Sequence, residues 1–149
     1  MKGRCQDYEQ HSQPPYSPPM LCDTQAGTPI PASDIKRART FYEEVLGFTP
    51  TDENPDNGEA TYRCAGGTWF FVHPSEHAGT NRATSLAFMV ADIESEMAEL
   101  RERGVTFEEY DLGDFKTVDG ISVQPDGTKM AWFNDTEGNL LGIGQPPNA

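Results

Sequence analysis

Residues 30–48 read IPASDIKRARTFYEEVLGF, and this stretch settles the first element of the fold. Ser33 or Asp34 supplies an N-cap, because a short polar side chain there accepts a hydrogen bond from an orphan N–H of the first helical turn. Ile35, Ala38, Phe41, Tyr42, Val45 and Leu46 follow at three- and four-residue steps, so they share one buried helical face. Gly47 ends the helix as a residue just past its last turn. Before the cap lies a short extended segment.

Outward from this helix, EATYRCAGG (residues 59–67) and TWFFVHP (68–74) are strand-like runs joined through Gly66-Gly67, a hairpin turn, with a further strand over about Phe48 to Thr51. The same order then returns. SLAFMVADIESEMAELRERGVTFEE (85–109) gives an extended run, Asp92 as N-cap, Ile93, Met97 and Leu100 on one face, and Gly104 as the stop. Glu94 and Glu96 in its first turn and Arg101 and Arg103 in its last suit the helix dipole. ISVQPDGTKMAWFN (121–134) turns at Pro125-Asp126-Gly127, and NLLGIGQ (139–145) closes the unit. Two β-α-β-β-β units, about 27–75 and 84–145, therefore make one domain over residues 27–145.

Residues 1–26, with HSQPPYSPPM near their centre, carry no apolar period and read as a disordered arm. The whole chain has 149 residues, enough for one domain with its own core. It has 24 acids against 11 bases, a net charge of −13. The arm's Lys2 and Arg4 against Asp7, Glu9 and Asp23 leave the remainder at −12, so the acidity belongs to the folded part. That sign argues against nucleic acid as a partner and leaves two readings, solubility or attraction of a cationic small molecule. The cluster Glu108, Glu109 and Asp111 is read as a solvated face. No apolar run approaches a membrane span and no signal-peptide layout opens the chain, so the cytoplasm is the expected location. Cys5, Cys22 and Cys64 form no even framework and no CxxC pair, and they are read as reduced thiols.

IPASDIKRARTFYEEVLGF together with FNDTEGNLLGI (133–143) resembles the vicinal oxygen chelate superfamily, which includes glyoxalase I, extradiol dioxygenases and bleomycin-resistance proteins. The likeness runs over about residues 27–145. It implies an α+β fold of two tandem βαβββ modules forming a curled mixed sheet around a cavity, usually completed in a homodimer. Enzymes of this superfamily commonly hold a divalent metal through four positions, which the resemblance places here at Gly27, Phe71, Ser85 and Gly142. None of these side chains is a strong donor to a divalent cation, so neither a metal nor another cofactor is expected.

The period-two alternation of a strand puts Trp69, Phe71 and His73 on one face with Phe71's metal-like position. Ser85, Ala87 and Met89 face the cavity from the second module, and Gly142 and Gly144 enlarge the space. Trp69 and Phe71 have two readings, flat walls for stacking or ordinary core. Tyr62 and Trp132 join the ligand-binding candidates, subject to a register that a single bulge would flip. His73 is the candidate general acid or base, with Cys64 or Tyr62 behind it, and His77 is assigned to solvent in a polar linker. The reading that follows is a glyoxalase/bleomycin-resistance-like protein that binds a small organic molecule, cationic or aromatic, without a metal. The alternatives are an enzyme of the superfamily, a lyase, isomerase or dioxygenase using a metal or His73, and an interaction module whose glycine-lined face is packed by a partner chain.

Overall fold

The computed structural model describes residues 20–147. Most of the expected arm lies outside the described residues; of its remainder, Leu21–Asp23 form one exposed helical turn leading to the first strand. The chain then forms β1 (Gly27–Ala32), α1 (Ile35–Thr40), β2 (Pro50–Glu53), β3 (Ala60–Arg63), β4 (Trp69–Pro74), β5 (Thr84–Met89) and α2 (Ile93–Glu102). After these come β6 (Asp111–Leu112), β7 (Phe115–Lys116), β8 (Ser122–Val123), β9 (Lys129–Asn134) and β10 (Leu140–Gln145). The two halves have the same sheet order, β1-β4-β3-β2 and β5-β10-β9-β8, with one parallel pair in each. The repeat seen in the sequence is thus a repeat in space, two βαβββ modules in an α+β fold.

Asp34 is the cap of α1, its carboxylate accepting from Arg37 N at 3.0 Å, and Asp92 caps α2 through Ser95 N at the same distance. After Thr40 the first helix widens into a π turn, Phe41–Val45, where Leu46 N reaches back five residues to Phe41 O. Such a turn holds one residue more than an α turn, and the adjacent Phe41 and Tyr42 are both buried. Gly47 follows at φ +80°, a backbone conformation that suits glycine. A short ribbon, β6–β7, stands apart from both sheets and was not foreseen; it occupies the region read as a solvated acidic face.

The core explains how the modules sit. Ile30, Tyr62, Phe70 and Val72 of the first sheet and Ala131, Phe133, Leu141 and Ile143 of the second belong to one buried cluster with the inner faces of both helices. Phe41 meets Phe133, and Phe88 meets both Phe48 and Phe70, across the seam. The helix-bearing faces therefore pack toward each other, and strand alternation turns the other face of each sheet outward. Strands β1 and β5 lie side by side at the seam without pairing, so the sheet is divided into two sheets of four strands.

Candidate functional site: outer sheet faces and a cleft at the module seam

On β4, Phe70 and Val72 are buried while Trp69, Phe71 and His73 alternate with them on the outer face, as the period of two requires. Their rings form a row, Trp69 to Phe71 at 5.8 Å and Phe71 to His73 at 5.7 Å between centroids. Gly27 pairs with Trp69 across the parallel ladder, and the indole lies over it: a Cβ on Gly27 would come within 2.4 Å of the ring. The second sheet also sets glycines beside large side chains, less tightly at Gly142. Gly142 pairs with Trp132, whose Cδ1 lies 3.5 Å from where a Cβ would be, and Gly144 lies under Met130 and Met89. The glycine face is thus covered by neighbouring side chains within the chain, which corrects the expectation that Gly142 and Gly144 open space for a ligand. At Gly27 the ring lies so close to the strand that no Cβ fits beneath it, whereas at Gly142 the contact is an ordinary one.

A bulge decides the rest of this face. The β10–β5 register slips between Leu140 and Leu141, so Thr84 pairs with Leu140 and Leu86 with Leu141, leaving Ser85 between. Thr84, not Ser85, therefore meets Trp132, its hydroxyl accepting from indole Nε1 at 3.1 Å. Tyr110, just before the β6–β7 ribbon, and Phe115, within it, pack edge-on against Trp132 at 5.8 and 5.5 Å. Tyr62 is corrected outright. It pairs with Phe70 on the inward face, is fully buried, and donates its hydroxyl to Glu43 at 3.0 Å. His77 is exposed in the linker, 3.9 Å from Glu76.

The side chains at the four positions that the resemblance assigns to a metal do not fit a divalent cation. They are Gly27, Phe71, Ser85 and Gly142, and among the described residues no three His, Cys, Asp or Glu side chains are grouped closely enough to share an ion.

At one end of the seam, the β3–β4 turn faces the end of β5 across a cleft of about 740 Å³. Trp69, Phe70, Phe48, Phe88, Leu86 and Met89 wall it. Met89 is 65% exposed, so the cleft opens to solvent. Cys64 and Thr68 stand at the turn, where burial pushes the Cys64 thiol up and a contact with Thr68 opposes this. Arg63, opposite Trp69 in the β3–β4 register, completes the rim. Of the expected ligand-binding residues, Trp69, Ala87 and Met89 meet here. Phe71 and His73 lie farther along β4, and Trp132, Ser85, Gly142 and Gly144 lie elsewhere on the second module. Sequence reasoning missed Phe48, Phe88 and Arg63. Phe48 follows a helix stop and Phe88 lies on the alternate face of β5, so only the seam between modules brings them to Trp69.

A polar latch holds that seam from the other side. In the loop Asp135–Asn139, Asp135 accepts from Tyr42 Oη at 2.7 Å, from Asn139 Nδ2 at 2.8 Å, and from the backbone N–H groups of Glu137 and Asn139. Asn139 also donates to Pro31 O at 2.8 Å. Glu137, buried, reaches the cap of α1 and accepts from Ser33 Oγ, Asp34 N and the Arg37 guanidinium at 2.8–3.1 Å. Burial works to raise the Glu137 carboxyl, but Arg37, the Asp34 N–H and Ser33 outweigh it and hold its pKa down at about 2. Burial and the neighbouring Asp135 push the Tyr42 hydroxyl up. The Asp-x-Glu-Gly-Asn spacing signalled a turn; that its carboxylates face inward was not readable from it.

A family model described as the Glyoxalase/Bleomycin resistance protein/Dioxygenase superfamily matches residues 24–143. No curated protein sequence matches the chain significantly. Among solved structures, the antibiotic binding protein TnmS3 from a Streptomyces species is 24% identical, with 85% of this chain and 98% of that one covered at a TM-score of 0.59. A glyoxalase family protein from Enterococcus faecalis is 23% identical, covering 84% and 99% at 0.63. Lactoylglutathione lyase from Agrobacterium tumefaciens is 16% identical, covering 86% and 95% at 0.61. At these identities the likeness speaks to the fold.

Proposed function

This chain belongs to the glyoxalase/bleomycin resistance/dioxygenase superfamily, and from that premise we propose that it binds a small aromatic organic molecule in the seam cleft without a metal. The observation that carries the reading is the cleft itself: about 740 Å³ walled by Trp69, Phe48, Phe70 and Phe88, open at Met89. That volume lies in the range of small-molecule sites, and aromatic walls favour a flat ligand through burial and stacking. The fold relative TnmS3 is an antibiotic binding protein, which agrees with a binding role. A second copy of the chain, as in the homodimers the resemblance implies, is the natural cover for the outward rows of aromatic side chains.

The two tryptophans make the test direct. In the full chain carrying Trp132→Phe, Trp69 is the sole indole, and titration with naphthalene-2-methanol is expected to change its emission saturably and raise Tm. The added variant Ala87→Trp, which fills the cleft, is expected to abolish both effects. Binding reported by Trp132 in a Trp69→Phe chain, but not by Trp69, would overturn the placement. No saturable response from either would overturn the binding reading itself.

A further inference from the structure

The cleft has a charge pattern at odds with the chain that carries it. The sequence holds 24 acids, yet no aspartate or glutamate lines the cleft, and the single charged side chain on its wall is Arg63. Most other bases among the described residues are engaged: Arg37 with Glu137, Arg39 with Glu43 and Glu53, Arg103 with Glu99, Lys116 with Asp111, Lys129 with Glu94, and Arg101 with Asp119 O. Arg63 has no carboxylate within ion-pair distance and no side-chain hydrogen bond among the described residues. An unpaired guanidinium beside an indole, at the mouth of an acid-free aromatic cleft, is built to receive something.

We infer that the cleft takes an aromatic molecule bearing an anionic group, a carboxylate above all, whose ring lies among Trp69, Phe88 and Met89 and whose charge pairs with Arg63. The inference rests on the cleft being the binding site, and it reverses the sign of ligand that the net charge of −13 suggests. Distance decides between the two. The field of the distributed acids is screened over about 8–10 Å at physiological salt, whereas an ion at the rim meets Arg63 directly, within hydrogen-bond reach. A planar carboxylate also matches the guanidinium fork through two parallel hydrogen bonds, which a single point charge would not.

Three congeners of one ring system separate charge from shape: naphthalene-2-carboxylate, naphthalene-2-methanol and 2-(aminomethyl)naphthalene, titrated into the full chain at neutral pH. The carboxylate is expected to bind about tenfold tighter than the alcohol, corresponding to one guanidinium pair of roughly 1.4 kcal/mol, and the amine weaker than the alcohol. Arg63→Gln is expected to remove the carboxylate's advantage, so that carboxylate and alcohol bind alike. Arg63→Lys is expected to retain part of the preference, since it keeps the charge and loses the fork. If the amine binds as tightly as the carboxylate, or Arg63→Gln keeps the carboxylate preference, the anion inference is overturned while binding of the alcohol leaves the cleft reading standing. If none of the three binds, both fall.

Discussion

Glycine at two sheet positions has different physical meanings, and a single added methyl group tells them apart. At Gly27 a Cβ would sit 2.4 Å from the Trp69 indole, inside any tolerable contact, so Gly27→Ala must displace the ring. The expected loss is about 1–3 kcal/mol, as for overpacking a core, together with a shift in Trp69 emission. At Gly142 the nearest atoms, of Thr84 and Trp132, stand at 3.4–3.5 Å, an ordinary contact. Gly142→Ala is therefore expected to leave stability unchanged or raise it by up to about 1 kcal/mol through lower unfolded-state entropy. Urea unfolding of the two variants checks the contrast. Equal effects would mean that Trp69 does not lie over β1 as described. Residue identity alone gave the glycines and the tryptophans, but not their pairing, which is a matter of register.

Between elements, the loop from β9 to β10 acts as a clasp on the start of α1. Glu137→Gln removes the charge that gathers Ser33, Asp34 N and Arg37, and the expected loss at pH 7 is roughly 1.5–3 kcal/mol, typical of hydrogen bonds to a charged group. The pH dependence has a definite sign. The folded pKa of Glu137, about 2, lies below that of an unfolded glutamate, so its contribution is complete above about pH 4.3 and is lost as pH falls toward 2. Wild-type stability should drop more steeply than that of Glu137→Gln across this window, in chemical denaturation curves at successive pH values. Parallel profiles would show that the carboxylate does not carry the clasp. The helices and their aspartate caps were legible in sequence because capping and periodicity are local. The clasp was not, because it joins residues about a hundred positions apart.

For the molecule as a whole, two repeated modules raise the question of whether they are two folding units. The single buried cluster, with Phe41 against Phe133 and Phe48 and Phe70 against Phe88, says that neither module closes its core alone. Thermal unfolding is therefore expected to be one transition, with far-UV circular dichroism and tryptophan emission superimposing and the calorimetric and van't Hoff enthalpies agreeing. Separate transitions for the two modules would contradict a shared core. The same packing bears on the site: the helix-bearing faces share one core, and the cleft lies where the seam opens, at Trp69, Ala87 and Met89.

By itself, the sequence determined the two helices, the main strands, their repetition, the helix caps and the family, since all of these are written in spacings of a few residues where backbone geometry sets the period. It also placed Trp69, Ala87 and Met89 among the candidates that meet at the cleft. The tertiary structure alone decided that Tyr62 faces the core, that Thr84 replaces Ser85 beside Trp132, and that Arg63, Phe48 and Phe88 join Trp69. Strand register, a one-residue bulge and the angle between two modules decide those outcomes, and each is fixed by packing across the whole chain.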